Sequence, residues 1–155
     1  MNTLDKLALV IACSAIGLMA ADYISVTDHL FAKTAARVGL AQAKLGQLAV
    51  GKGTSRQVKD LGQRMVDDSK SIDRLKAIAA KDNILLPSSL SARDQALVNR
   101  LSSLTGAAFD KAFMDSVSKE RETAIALFRN EARAGSNRDL KSFASSIVPA
   151  LQTAK

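Results

Sequence analysis

Gly53-Thr54-Ser55-Arg56-Gln57-Val58-Lys59-Asp60-Leu61 is the stretch on which the reading of this chain turns, because it ends one long helix and begins another. Gly51-Lys52-Gly53 stops the preceding helix, since glycine takes a left-handed cap without a Cβ penalty. Thr54 is placed as an N-cap with Gln57 at the capping-box position. A connection this short makes the flanking helices antiparallel neighbours. The pattern returns as Gly135-Ser136-Asn137-Arg138-Asp139-Leu140-Lys141-Ser142-Phe143, and Met65-Val66 continues the match as Ile147-Val148. Any helix start needs a glycine, a cap and spaced apolar residues, but here Arg and Lys also match outside the cap. The two stretches therefore read as a repeated hairpin.

Outward from these turns, apolar residues recur at intervals of three and four, the spacing of amphipathic helices. The first helix is predicted over 28–50, with Phe31, Ala35, Val38, Leu45 and Ala49 on its stripe. The second starts after Thr54 and carries Val58, Leu61, Met65, Ile72, Leu75 and Ala79. Residues 83–90, with Pro87 and paired serines, break the pattern, and a short helix follows over 91–104 with Leu97, Leu101 and Leu104 inward. A long helix over 107–134 carries Phe109, Phe113, Val117, Ala124, Leu127 and Phe128. It ends at Gly135, and Ser136 or Asn137 caps a last helix bearing Leu140, Phe143, Ile147 and Leu151. Pro149 falls inside that helix and predicts a kink or an early end, with Ser145 or Ser146 serving the carbonyl it frees. The expected fold is all-α: a ferritin-like four-helix bundle of two antiparallel hairpins joined by a crossover that contains a short helix.

The 155 residues, 47% hydrophobic with 8 Gly, 2 Pro and no Trp, suit packed helices around one core. Cys13 alone excludes an internal disulfide framework, and His29 alone excludes a zinc site built from Cys and His clusters. At the N-terminus, Lys6 precedes an apolar run from Leu7 to Ala21 that Asp22 ends. The run is shorter than the roughly 20 residues that a spanning helix needs. Residues 1–21 therefore read as a secretory signal cleaved near Ala20 or Ala21, with an uncleaved N-terminal anchor as the alternative. Val10-Ile11-Ala12-Cys13 resembles a lipobox, though it would leave too short an apolar core before it. Residues 22–155 are the expected bundle domain, and the net charge of +7 stays on it.

Phe31 through Leu151 resembles an exported bacterial ferritin-like domain of unknown function, often labelled predicted outer-membrane protein. The resemblance rests on Gly39-Leu40-Ala41-Gln42-Ala43-Lys44-Leu45-Gly46, Gln63-Arg64-Met65-Val66-Asp67-Asp68, Gly106-Ala107-Ala108-Phe109-Asp110, Ala124-Ile125-Ala126-Leu127-Phe128 and Val148-Pro149-Ala150-Leu151. It implies inward acidic and His positions: a Glu in the first helix, a His after paired acids in the second, an Asp-His-Glu in the third and a His near the end. This chain departs from that pattern at every His. Gln42 stands at the Glu position, Ser69 follows Asp67-Asp68, Arg121 sits between Glu120 and Glu122, and Thr153 or Ala154 is at the last position.

Helical geometry places Gln42, Asp68 and Glu120 within about 40° of their apolar stripes, with Arg121 nearer an edge. These four are the candidate site residues, expected to form an inward polar layer, structural or the remnant of a metal site. Di-metal bundles use four carboxylates with Glu-x-x-His pairs, which this sequence lacks. No metal and no cofactor is therefore expected. With no Gly-rich phosphate loop and no nucleophile paired with a His base, the chain is not expected to be an enzyme.

The positive charge points to anionic envelope components or an envelope protein as partner, with peripheral membrane association. Nucleic acid is not expected, as no aromatic residues interleave the basic ones. The function expected is a non-catalytic, exported interaction or stress-related module of the cell envelope, in the periplasm or at the outer membrane. The alternative is a metal-binding or redox protein using Asp67, Asp68, Glu120 and Glu122.

Overall fold

A computed structural model describes residues 24–153, so the N-terminal segment with Cys13, and Ala154, lie outside the described residues. Those residues form six helices and no strand: α1 (Val26–Lys52), α2 (Arg56–Ser69), α3 (Ile72–Lys81), α4 (Ala92–Ser102), α5 (Gly106–Ala134) and α6 (Arg138–Thr153). The described residues are all-helical in fold, as their periodicity predicts. Helix α1 packs most closely with α2, and α5 with α6.

The turns differ in detail from the sequence expectation. Helix α1 begins earlier than predicted because Ser25 is its N-cap, exchanging capping-box bonds with Asp28. It also runs past Gly51 to Lys52. Gly53 is not left-handed: its φ of −57° and ψ of 139° are open to any residue. Glycine is required there by crowding, since a Cβ would lie 2.6 Å from the Ala49 carbonyl oxygen. Gly135 repeats this geometry with φ −59° and ψ 142°, and its Cβ would lie 2.7 Å from the Glu131 carbonyl oxygen. Ser55, not Thr54, caps α2, and Asn137 caps α6 by accepting from the Leu140 amide. With Ser55 at the cap, Val58 falls at the box position and Gln57 takes no part.

Thr54 instead reaches across to the other hairpin, a contact the sequence reading did not foresee. Its amide and hydroxyl donate to Asp110 at 3.0 and 2.7 Å, and the Ser55 amide donates to the same carboxylate at 2.8 Å. At the opposite turn the Ser136 and Asn137 amides donate to Asp28 at 3.0 and 3.3 Å. The offset that relates Gly53 to Gly135 also relates Asp28 to Asp110. Each hairpin thus uses an Asp near the start of its first helix to hold the other hairpin's turn, and α1 and α5 must run antiparallel.

Helix α3 ends at the Asp28 end of the molecule, where the Asn137 side-chain amide donates to Asp82. Asn83 takes a left-handed φ of 55°, and the buried Ile84 returns its amide to the Ala79 carbonyl, closing a Schellman cap. Because α5 starts at the other end, residues 83–105, including α4, must travel the length of the helices. The second predicted helix is broken. At Lys70 and Ser71 the backbone bonds shorten to three-residue spacing, and Ser69 turns its hydroxyl back to the Val66 carbonyl.

The core lies in two separate clusters. One gathers Phe31, Leu75, Phe128, Leu140 and Phe143 near the α5–α6 turn, with Phe31 meeting Phe128 edge-on at 5.2 Å. The other gathers Leu45, Leu61, Leu101, Phe109 and Phe113 near the α1–α2 turn. Between them no described residue is buried from 37 to 44 in α1, from 66 to 74 across α2 and α3, or from 118 to 123 in α5. Helix α6 continues through Pro149 to Thr153, so the early end predicted there is not found. The Ser145 and Ser146 hydroxyls bond the Lys141 and Phe143 carbonyls, not the Ser145 carbonyl that proline leaves without a donor. Ile147, Val148 and Leu151 pack against the first cluster and hold the turn together.

The Asp28 clamp is fully buried and faces a second acid, Glu131, which is 4% exposed with Oε1 unpartnered. Burial first, then the hydrogen bond to Asp28 and its negative charge, raise the Glu131 carboxyl to about 7, with Lys141 opposing. Burial would also raise Asp28, but hydrogen bonds from Ser25, Ser136 and Glu131 together hold it below its ordinary value. Glu131 is therefore neutral when the clamp works best.

Two outcomes follow for urea unfolding. Asp28→Ala, which strips an acceptor from both turn amides and from Glu131, lowers stability by about 2 to 3 kcal/mol. Glu131 binds its proton more tightly folded than unfolded, so its contribution is complete below the ordinary value of 4.5 and is lost as pH rises through about 7. Glu131→Gln keeps a neutral donor, so its stability advantage over the native protein grows from pH 4.5 to 7 and is then constant.

Candidate functional site

Where the two core clusters stop, the helix walls leave a cleft of about 300 Å³. Its floor is aliphatic, from Leu45 of α1, Leu61 and Met65 of α2, and Val117 and Ala124 of α5. Gly46 and Gly62 bring α1 and α2 together beside it: a Cβ on Gly46 would lie 2.6 Å from the Gly62 carbonyl oxygen. Larger residues there would force the helices apart and open the floor to water.

All four candidate residues, Gln42, Asp68, Glu120 and Arg121, line this one cleft. They do not make the closed inward layer expected of them. Asp68 is exposed, and Gln42, Glu120 and Arg121 are half-buried. Glu120 Oε1 accepts from Arg93 Nη2 of α4 at 2.7 Å, not from the neighbouring Arg121. The reason is that the central turns of the helices bury no apolar residue, so polar groups there reach solvent across the cleft. Thr153 is exposed, and Asp67 and Glu122, offered for the alternative metal reading, are exposed as well. Asp67 accepts from Lys70 and Gln63 instead.

Several wall residues escaped the sequence reading. Arg37 and Arg64 line the cleft from α1 and α2, and Arg93 and Asp94 from the first turn of α4. Asp94 accepts from the Ser91 hydroxyl at 2.6 Å while its own amide donates to that hydroxyl, a cap on α4. The crossover helix thereby forms one wall, and only its docking against α1 and α5 reveals which of its residues reach the cleft. Asp68 is pushed above the ordinary carboxylate value by the apolar wall behind it and then by Asp67, with Arg64 opposing.

The ferritin pattern implies a metal at mid-bundle, and the donor set here does not fit one. Asp68 and Glu120 are the carboxylates at the pattern positions; Glu120 is held by Arg93, and the cations of Arg64 and Arg121 share the walls. Among the described residues no group of three or more His, Cys, Asp or Glu side chains is placed to hold a metal ion. No described helix is long and apolar enough to cross a membrane.

Neither the curated proteins nor the solved structures include a significant match to this chain. A family model described as a domain of unknown function, DUF4142, matches residues 14–155. The match spans the paired hairpins, the crossover and every wall of the cleft, and the chain belongs to the DUF4142 family.

Proposed function

We propose that this protein is a non-catalytic, exported binding module of the bacterial cell envelope, built as a ferritin-like bundle whose central site takes a ligand or partner in place of a metal. The ferritin-like reading is supported by connectivity: two hairpins repeat one offset, and a single long connection carries α4 along the molecule between them. Helices α2 and α3 act together as the second strut, broken where Ser69 bends the chain. The export reading is supported by the Lys6 flank and the apolar run to Ala21.

The observation that carries the reading of a site without a metal is the wall chemistry of the cleft. Arg93 holds Glu120 at 2.7 Å, and Arg121 stands in the same wall. A dication would have to displace one guanidinium and tolerate the other, against direct charge repulsion.

Metal analysis and thermal unfolding of the native protein test this. The native sample carries iron, manganese and zinc far below one ion per chain, and a chelator leaves the melting temperature unchanged, because no metal binding is linked to folding. A fall of several degrees on chelation, or near-stoichiometric metal, replaces the binding-module reading with the metalloprotein one. For export, the intact mass of protein recovered from the cell envelope corresponds to a chain starting near Ala21 or Asp22. Retention of Met1 indicates an anchor, and a diacylglycerol adduct on Cys13 indicates the lipobox.

A further inference from the structure

We infer that the cleft binds an anionic amphiphile: a single acyl chain in the apolar interior, with its anionic head at Arg37 and Arg121. This deepens the binding-module reading and rests on it for the use of the site, while its own test reads ligand binding and needs no metal measurement.

A second cavity of about 220 Å³ adjoins the first and shares Val38, Gln42, Asp68, Ala150 and Leu151 with it. Its lining adds Ile72, Phe128, Phe143 and Ile147, together with Asp67 and Ser71, so the apolar wall extends past the first cavity. The gap between the two core clusters and this pair of cavities are the same feature seen from the residues and from the space. A void of this kind, lined by aliphatic groups and rimmed by a few charges, is the form of a small-molecule site. An acyl chain, being unbranched and apolar, fits a long aliphatic interior and gains the hydrophobic transfer energy of each methylene it buries.

The charge of the mouth selects the head. Two of the acids there are already engaged, Glu120 with Arg93 and Asp94 in the α4 cap, and the charge of Arg64 opposes that of the third, Asp68. Arg37 and Arg121 make no hydrogen bond or ion pair with any described residue. Two guanidinium groups without acid partners beside an apolar interior favour a head that is negative and offers paired oxygens, as a carboxylate, sulfate or phosphate does. A cationic amphiphile meets the same interior but the wrong mouth.

The test is calorimetric titration of the full-length protein with dodecanoate, dodecyltrimethylammonium and acetate, each below its micelle threshold. Dodecanoate binds at about one per chain with a Kd of roughly 1 to 100 μM, and the other two bind at least about tenfold more weakly. Dodecyl phosphate in place of dodecanoate binds comparably, since the head is recognised by charge and paired oxygens. The double substitution Arg37→Gln and Arg121→Gln weakens dodecanoate at least about tenfold without lowering the melting temperature, because neither side chain supports the fold. Val38→Trp, at the junction of the two cavities, abolishes binding; if that variant fails to fold, the arginine pair still decides. Equal binding of the cationic and anionic chains, many ligands per chain, or binding unchanged by the arginine substitutions overturns the inference. Affinity for anionic vesicles with none for dodecanoate overturns it too, and assigns the basic surface to a membrane instead. Stoichiometric metal with intact dodecanoate binding defeats the non-metal reading and leaves this one standing.

Discussion

Two aspartates hold this molecule together end to end. Asp28 at the start of α1 takes the amides of the α5–α6 turn, and Asp110 near the start of α5 takes those of the α1–α2 turn. A helix turn leaves amides without intrahelical partners, and a carboxylate is the strongest acceptor a side chain offers them. Because each hairpin supplies the acceptor for the other's donors, neither turn is fully satisfied until the hairpins dock. The arrangement also fixes direction, since only antiparallel α1 and α5 bring each aspartate to the opposite turn. The two clamps differ in setting. Asp110 is solvated, and hydrogen bonds led by the Thr54 hydroxyl hold it down at about 2. Asp28 is sealed beside Glu131, which makes that end sensitive to pH.

Pinning at both ends lets the middle be loose. Apolar packing concentrates beneath the two turns, where Phe31, Phe128 and Phe143 fill one end and Phe109 and Phe113, stacked at 5.8 Å, fill the other. The centre is left with small, polar and only partly buried aliphatic residues and a helix break, and a cleft opens there. Native interiors avoid such voids because each forfeits contacts on its lining. A cleft retained between two well-packed ends likewise leaves part of its lining without packed neighbours, a structural cost for which ligand binding supplies a reason. The surface ion pairs add little to this balance, as pairs such as Arg56–Asp60 and Lys76–Asp73 are well solvated.

Much of this was legible in the sequence and some was not. The stripes of α1, α5 and α6 and the turn glycines were readable because helical period and chain-breaking residues are local signals. The repeat at 53–61 and 135–143 was readable too. Its extension to Asp28 and Asp110 is not a local signal, because a clamp joins residues far apart, although the pair shares the same offset. The split of the second helix was hidden, since Lys70 and Ser71 keep helical dihedrals and only their hydrogen bonds change. The resemblance singled out Gln42, Asp68, Glu120 and Arg121, helical angle put the first three near their own apolar stripes, and the four line one cleft. Angle alone, however, does not say whether a polar residue meets a partner or a cleft; Arg93 decided that from a helix whose docking no periodicity encodes.

The most direct measurement of the central claim follows the amide proton shifts of Thr54, Ser55, Ser136 and Asn137 through an acid titration. An amide that donates to a carboxylate moves when that group takes its proton. If the reciprocal clamps hold the hairpins, Thr54 and Ser55 move together near pH 2 with Asp110, and Ser136 and Asn137 move together with Asp28, below its ordinary 3.8. Four amides that stay unmoved, or that move with an ordinary carboxylate midpoint, contradict it.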